Sequence, residues 1–165
     1  MNPFNQKLLI NIDLSKLIKF LFIQIAIISV FLAIVYADRL ILDDVFKQYD
    51  LIKYVRLFHW VFFDILSTIT YASLGIVYAI AKGKEGWKIG LAIFIEGIAL
   101  IRLGMEDYCY YLLFKDVVPS KLPWLNYNPV FVTTTFAVTK AGLELSIIIS
   151  LSIIAIIWVI LWKKI

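Results

Sequence analysis

Two acidic residues lie within long apolar stretches of the chain, where an ionised side chain is costly. Asp64 stands between WVFF and ILSTIT, and Glu96 stands between LAIFI and GIALI. An unpaired carboxylate in hydrocarbon costs several kcal/mol, so such an acid either has a buried partner or acts on a proton, an ion or a ligand. A carboxyl that keeps its proton at neutral pH can also serve as a general acid. Asp64 and Glu96 are therefore the first candidate catalytic residues.

The two acids are predicted to share one cavity. At about 1.5 Å of rise per residue, Asp64 lies about 10 Å and Glu96 about 16 Å from the outer surface of a ~30 Å hydrocarbon core. Two carboxylates that meet cannot both ionise readily, so one of them would hold a proton at neutral pH. Gln24, a candidate binding residue in the first apolar segment, lies at a depth that would let it join them. The alternative is that one acid faces a structural partner, such as Tyr71 or Gln24, and has no further role.

A stripe of polar residues shares one helical face with Asp64. Positions 64, 67, 68, 71, 75 and 78 fall within about 100° of one another on an α-helix. Lipid offers no hydrogen bonds, so the stripe is expected to face the helix bundle or a cavity. The candidate binding residues on it are Ser67, Thr68, Tyr71 and Tyr78. The alternative for the serine and the threonine is a hydrogen bond that only holds two helices together.

Three charged residues follow the same apolar run as Glu96, in the motif RLGMEDYCYY. If the helix continues through this motif, Arg102 and Glu106 form an i, i+4 ion pair at the outer membrane surface. Asp107 then lies within about 20° of the face that carries Glu96. The spacing therefore predicts Asp107 as a third catalytic candidate at the mouth of the cavity, with Glu106 as a binding residue beside it. The alternative is an ordinary polar helix end whose tyrosines anchor it among lipid headgroups.

Glycines recur at an interval of seven residues, at positions 83, 90, 97 and 104. On one helix, Gly90, Gly97 and Gly104 share a face that drifts by about 20° at each step. Small residues let a neighbouring helix approach closely, so these three glycines predict a helix-packing face. The same face could pack against a second copy of the chain in a homodimer.

Long apolar segments must position these side chains. The sequence is 62% hydrophobic and 17% charged, whereas soluble domains average about 45–50% and about 25%. Four segments reach the about 20 residues needed to cross a bilayer, at 17–36, 57–81, 87–105 and 143–162. Each backbone N–H must be satisfied within its own segment, which requires helices. The sequence predicts one all-α transmembrane domain over residues 1–165, a polytopic integral membrane four-helix bundle. For the first segment alone, a cleaved signal peptide is the alternative.

The connection between the first two spans is predicted to be an amphipathic helix on the membrane surface. Leu42, Val45, Tyr49 and Ile52 follow the spacing of such a helix. Lys and Arg residues number eight on each side of a four-span topology, but on the side of both termini they lie in shorter segments close to the spans. The positive-inside rule therefore predicts a multi-pass protein of the cell membrane with both termini in the cytoplasm.

The sequence lacks the residues that several classes of function require. One cysteine, Cys109, cannot form a disulfide within the chain, and one histidine, His59, cannot supply a multi-histidine metal site or two haem ligands. The chain has no P-loop, GxGxxG, HExxH or GxSxG motif, so nucleotide and zinc-protease chemistry have no support. The basic residues are spread over the ends of the spans, which argues against nucleic-acid binding. No metal site is predicted, and the sequence identifies no cofactor.

Three functions fit this pattern. The first is binding of a lipid-like molecule, such as an isoprenoid, a quinone or a membrane lipid, in an acidic and aromatic cavity, with acid–base chemistry by Glu96 or Asp64. The second is a small transporter or channel subunit, coupled to protons or cations, that works as an oligomer. The third is an accessory subunit of a larger membrane complex, in which the acids are structural. The first is favoured because acids, tyrosines and hydroxyls converge on one predicted cavity.

Overall fold

The protein is all-helical, as the composition predicts. A computed structural model describes residues 13–46, 48, 49, 54, 57, 61, 65–115, 117–128, 131 and 138–165. Within these residues the only strand-like feature is an isolated antiparallel bridge between Lys121 and Thr139. The predicted all-α class is confirmed.

Four long helices and one shorter helix make up the described fold. They are α1 (Leu14–Arg39), α2 (Ser67–Lys82), α3 (Gly86–Arg102), α4 (Met105–Phe114) and α5 (Lys140–Leu161). A π-helical segment continues α1, and single 3-10 segments join α2 to α3, follow α4 and extend α5. These segments are Leu40–Phe46, Gly83–Glu85, Pro123–Tyr127 and Trp162–Lys164.

Among the described residues, two helices are long and apolar enough to cross a membrane by length and composition, α1 and the continuous helix Lys140–Lys164. The predicted second span lies partly outside the described residues, and α2 begins at Ser67. α3 has 17 residues and ends at Arg102, before the predicted end of the third span at 105. The predicted surface helix lies partly outside the described residues, and in its described part Leu40–Phe46 is a π-helical segment that continues α1.

Polar residues fix where the two apolar helices begin. The Asp13 carboxylate accepts hydrogen bonds from the backbone N–H groups of Ser15 and Lys16, at 3.0 and 3.4 Å. The Thr139 hydroxyl accepts a hydrogen bond from the N–H of Gly142 at 3.2 Å. N–H groups in the first turn of a helix have no partner within the helix, and these caps supply one. α1 and α5 therefore each start at a defined residue.

α2 and α3 form a closely packed antiparallel hairpin. A side-chain carbon added at Gly75 would overlap the backbone of Gly90, and one added at Gly90 would overlap the backbone of Gly75. The Tyr71 ring lies against Gly97 in the same way. Gly90 and Gly97, two of the glycines predicted as a packing face, therefore lie against α2 of the same chain.

The third predicted span is broken near its C-terminal end. Leu103 and Gly104 separate α3 from α4, and Gly104 adopts a left-handed conformation with φ +85°. Glycine takes this conformation without steric strain and commonly ends helices. A side chain at Gly104 would also overlap Leu143 of α5. The expected continuous helix was therefore wrong, and so was the expected place of Gly104 on the glycine face of α3.

Two apolar clusters hold the helices together. The main core joins α1, α2, α3 and α5, and its buried members include Ile27, Val35, Tyr71, Ile89 and Trp158. A second cluster packs the connection after α4 against α5, and its buried members are Val118, Leu122, Leu125, Phe131, Leu143 and Ile147.

Lysines gather at one end of the bundle. The Lys16 ammonium group donates a hydrogen bond to the backbone carbonyl of Lys163 at 3.3 Å, so α1 begins where α5 ends. Lys19 of α1 and Lys82 of α2 line one groove, so α2 ends at the same level. We name this the basic end; its lysines are Lys16, Lys19, Lys82, Lys84, Lys88, Lys163 and Lys164. The opposite end carries α4 and the C-terminal part of α1.

Candidate functional site

Glu96 joins three helices in the middle of the bundle. Its side chain is 5% exposed. Its Oε2 accepts a hydrogen bond from Nε2 of Gln24 in α1, at 3.2 Å, and one from Nε1 of Trp158 in α5, at 2.7 Å. Two donors on one carboxylate oxygen offset much of the cost of burying the acid. The structure thus brings Gln24 to Glu96, and it gives Glu96 the kind of structural partners that the alternative interpretation describes.

Trp158 is a partner of Glu96 that the sequence analysis did not consider. A buried indole N–H usually finds an acceptor, and α5 offers it only apolar neighbours in the segment IIAIIWVIL. That signal points to an acceptor on a neighbouring helix, and Glu96 is an acid within an apolar helix. The ring of Phe20 packs edge-on against Trp158, with ring centroids 5.2 Å apart, and fixes the indole from the other side.

The predicted cavity between Asp64 and Glu96 remains a prediction, because Asp64 lies outside the described residues. On the polar stripe of α2, Ser67 is buried, Thr68 is half-buried, and both take part in interactions with other groups. Tyr71 is fully buried, and its hydroxyl has no hydrogen-bond partner among the described residues. Tyr78, by contrast, lines a groove. The described residues of the stripe therefore lie in two different environments: Ser67 and Tyr71 are buried between helices, and Tyr78 lines the groove.

Glu106 and Asp38 form a buried carboxyl pair that joins α4 to α1. Their side chains belong to residues that are only 5% and 4% exposed. Burial, followed by the negative charges of Asp107 and Asp38, raises the pKa of Glu106 well above its ordinary value. Two neighbouring carboxyl groups cannot both ionise readily, so the charge of Asp38 adds to burial in favouring the protonated form of Glu106. Asp38 lies beyond the first predicted span, and no local spacing in the sequence links it to Glu106.

Asp107 faces the connection after α4. Its Oδ1 accepts a hydrogen bond from Nε1 of Trp124 at 2.8 Å. Burial raises the pKa of Asp107 to about 6, although the hydrogen bond from Trp124 acts to lower it. Because α3 and α4 are separate helices, the helical spacing no longer places Asp107 on the Glu96 face or pairs Arg102 with Glu106. The predicted role of Asp107 at the mouth of a Glu96 cavity therefore loses its geometric basis.

The break between α3 and α4 is held by partners from distant parts of the chain. Nδ2 of Asn128 donates to the backbone carbonyl of Arg102 at 2.9 Å, and Oγ of Ser146 donates to that of Leu103 at 2.8 Å. These bonds satisfy carbonyls that lose their helical partners where α3 ends. Trp124 also stacks on Tyr111, with ring centroids 5.7 Å apart. The end opposite the basic end is therefore closed by its own connection.

An apolar groove lies between α1 and α2 and reaches the basic end, where Lys19 and Lys82 line it. Its volume is about 340 Å³. The walls are Phe22, Ile23, Ala26 and Ile27 of α1, Leu74 and Tyr78 of α2, and Ile93 of α3. Lys19 and Lys82 complete the lining, and both are exposed. In the sequence these lysines indicate only topology, because the groove is a space between helices that no local pattern encodes.

No protein-family model matches the chain, and no curated protein or solved structure is significantly similar to it. Among the described residues, no group of three or more His, Cys, Asp or Glu side chains could hold a metal ion.

Proposed function

We propose that the chain is a four-span integral membrane protein that binds the hydrocarbon chain of a lipid-like molecule between α1 and α2. The observation that carries the proposal is the groove, with a volume of about 340 Å³ and walls of apolar side chains. Sites for small molecules range from about 300 to 1,000 Å³ and are lined mainly by apolar residues. The groove is at the small end of that range, so it suits one hydrocarbon chain rather than a whole lipid.

Exposed apolar side chains support the membrane location. Each of the four long helices has a large apolar residue that is more than half exposed, for example Ile25, Val77, Leu91 and Val159. Soluble proteins rarely expose a continuous apolar surface larger than a few hundred Å². Lipid tails would cover these faces, and the lysines of the basic end would then lie at the cytoplasmic surface.

Acid–base chemistry by Glu96 is not part of this proposal. Two donors hold Oε2 of Glu96, and Glu96 does not line the groove. A general acid must reach the atom it protonates, directly or through one water molecule. The geometry therefore favours a binding protein in which Glu96 holds three helices together.

A homodimer through the glycine face has less support than the sequence suggested. Gly90 and Gly97 are already covered by Gly75 and Tyr71 of α2, and Gly104 lies against Leu143. A second copy could use that face only after α2 moved away. The role of accessory subunit gains no specific observation from the fold.

Native mass spectrometry after gentle extraction into lipid particles tests the proposal. The wild-type protein should retain a lipid-sized adduct. Ala26→Trp should fill the groove and lower the occupancy of that adduct at least fivefold. Ile25→Trp is the matched control, because Ile25 is the preceding residue of α1, is 59% exposed and does not line the groove.

Three results are informative. Loss of the adduct in Ala26→Trp but not in Ile25→Trp supports the groove as the binding site. Equal retention in wild type and Ala26→Trp contradicts it. Other polypeptides at a fixed stoichiometry, in place of a lipid, would favour the accessory-subunit function.

A further inference from the structure

The helix dipole favours a positive charge at the position of only one of the two lysines that line the groove. Lys82 is the last residue of α2, where the helix dipole favours a cation. Lys19 lies in the second turn of α1, near the N-terminal end of a helix, where the dipole favours an anion. Neither lysine forms an ion pair within the part of the chain that the structure describes. Two ammonium groups beside one groove therefore leave a site that an anion would neutralise.

The rest of the basic end adds to the positive potential. Seven lysines lie there, and the described acids close to them are Asp13 and Glu85. The Asp13 carboxylate already caps α1 through the N–H groups of Ser15 and Lys16. Clusters of lysines next to membrane spans attract anionic lipids of the cytoplasmic leaflet.

The polar and apolar parts of the groove are ordered along the helix axes. On α1, Phe22 and Ala26 follow Lys19 by three and seven residues, so they lie about one and two turns from it. On α2, Tyr78 and Leu74 precede Lys82 by four and eight residues, again one and two turns away. In the groove lining, the charged side chains therefore lie only at the basic end. The apolar side chains of the lining extend from there towards the middle of the bundle.

We propose that the groove binds an anionic phospholipid, with Lys19 and Lys82 on the phosphate and one acyl chain along Phe22, Ala26 and Leu74. This inference rests on the proposed lipid-binding function and adds the class of the headgroup. Inorganic phosphate would use the two lysines but leave the apolar walls uncovered. A neutral lipid would cover the walls but leave two unpaired cations beside its headgroup.

The test measures headgroup preference in nanodiscs made from equimolar phosphatidylglycerol and phosphatidylcholine. Native mass spectrometry of the wild-type protein should show retained phosphatidylglycerol in excess over phosphatidylcholine. A lysine near an anionic surface changes binding about fivefold, so Lys19→Gln with Lys82→Gln should reduce the excess by about 25-fold. The control is Lys84→Gln with Lys88→Gln, which removes the same charge from the same end but does not alter the groove lining.

The outcomes separate the headgroup inference from the proposed function. A preference lost in the Lys19 and Lys82 variant and kept in the control supports the inference. Equal loss in both variants means that the whole basic end attracts lipid, which overturns a two-lysine site. Retention of both lipids without preference, abolished by Ala26→Trp, leaves the lipid-binding function standing and rejects the anionic headgroup. A wild-type protein that retains neither lipid rejects both.

Discussion

The two ends of the bundle use charged residues in opposite ways. At the basic end, Lys19 and Lys82 are exposed beside an apolar groove. At the opposite end, Glu106 and Asp38 are buried against each other, and Asp107 is bound by Trp124. Charged groups with protein partners contribute to holding the fold, whereas exposed cations beside a groove are available to a ligand. Binding is therefore expected at the basic end, and the pH dependence of stability at the opposite end.

Two glycines allow this difference to be tested with the same substitution at each end. Gly83 and Gly104 both have positive φ, +65° and +85°. A side-chain carbon at Gly83, in the turn of the basic end, would meet open space, whereas one at Gly104 would overlap Leu143. Gly83→Ala should cost backbone strain alone, on the order of 1–3 kcal/mol, because φ +65° with ψ −147° is a conformation that essentially only glycine adopts. Gly104→Ala should cost about 3 kcal/mol, because overpacking against α5, about 1–3 kcal/mol, is added to the about 1–2 kcal/mol of strain in a left-handed residue.

Unfolding by SDS in mixed micelles, followed by tryptophan fluorescence, measures both glycine variants. A loss for Gly104→Ala no larger than the about 1–2 kcal/mol of left-handed strain would show that Leu143 moves aside easily. The opposite end would then be no more closely packed than the basic end.

Glu96 lies between the two ends. Its variants test whether it stabilises the fold, like the acids of the opposite end, or binds a ligand, like the lysines of the basic end. Glu96→Ala leaves Nε2 of Gln24 and Nε1 of Trp158 without their acceptor, which should cost about 2 kcal/mol. Glu96→Gln keeps one acceptor oxygen and should cost less than about 1 kcal/mol, and it should retain lipid like the wild type. The same unfolding assay and native mass spectrometry give the two readouts.

A folded Glu96→Gln variant that loses its lipid would contradict this assignment. Glu96 would then belong to the binding site, as the sequence first indicated. Asp64→Asn provides the parallel test of the predicted shared cavity. Wild-type behaviour of both variants would reject a cavity in which the two acids act on a ligand.

The sequence predicted the features that depend on composition and local spacing. The apolar content predicted an all-helical chain, and the depth estimate placed Gln24 near the level of Glu96, where the two side chains are hydrogen-bonded. The break at Gly104 was not predicted, because one glycine inside a helix costs only about 1 kcal/mol. Its left-handed conformation goes together with contacts from Asn128, Ser146 and Leu143, which are distant in sequence.

For the charged side chains too, the sequence predicted their positions along the chain but not their partners from other segments. In the sequence Lys19 and Lys82 lie at the ends of predicted spans, but only the fold, which sets α1 and α2 on either side of a groove, brings both lysines to that groove. The motif containing Glu106 and Asp107 suggested a helix pair with Arg102. The actual partners, Asp38 and Trp124, lie in other segments of the chain.

Stability should depend on pH through the acids of the opposite end. The folded-state pKa of Asp107 is raised to about 6, and that of Glu106 is raised well above its ordinary value. A raised pKa means that the folded state binds the proton more tightly than the unfolded state does. The contribution of Asp107 is therefore fully present below about pH 4, the unfolded pKa, and is lost as the pH rises through about 6.

The expected loss is on the order of 1 kcal/mol between about pH 4 and pH 7, after allowance for partial solvent screening of Asp107. Asp107→Asn is the control, because it keeps an oxygen for Trp124 and cannot titrate. The variant should remove the part of the pH dependence that lies between about pH 4 and pH 6. If the stability of Asp107→Asn depends on pH in the same way as that of the wild type, the pKa of Asp107 is not raised in the folded protein. The opposite end would then contribute no pH dependence through Asp107.

The smallest effect is expected where the opposite end carries an exposed charge pair. Nζ of Lys140 lies 3.8 Å from Oε1 of Glu144, and the two side chains are 46% and 42% exposed. Exposed i, i+4 pairs contribute about 0.3–0.5 kcal/mol, because water and salt screen them. A double-mutant cycle of Lys140→Ala and Glu144→Ala should give a coupling within this range that disappears in high salt. A coupling above about 1 kcal/mol would show that the opposite end stabilises exposed charges as well as buried ones, and burial would no longer be what distinguishes it from the basic end.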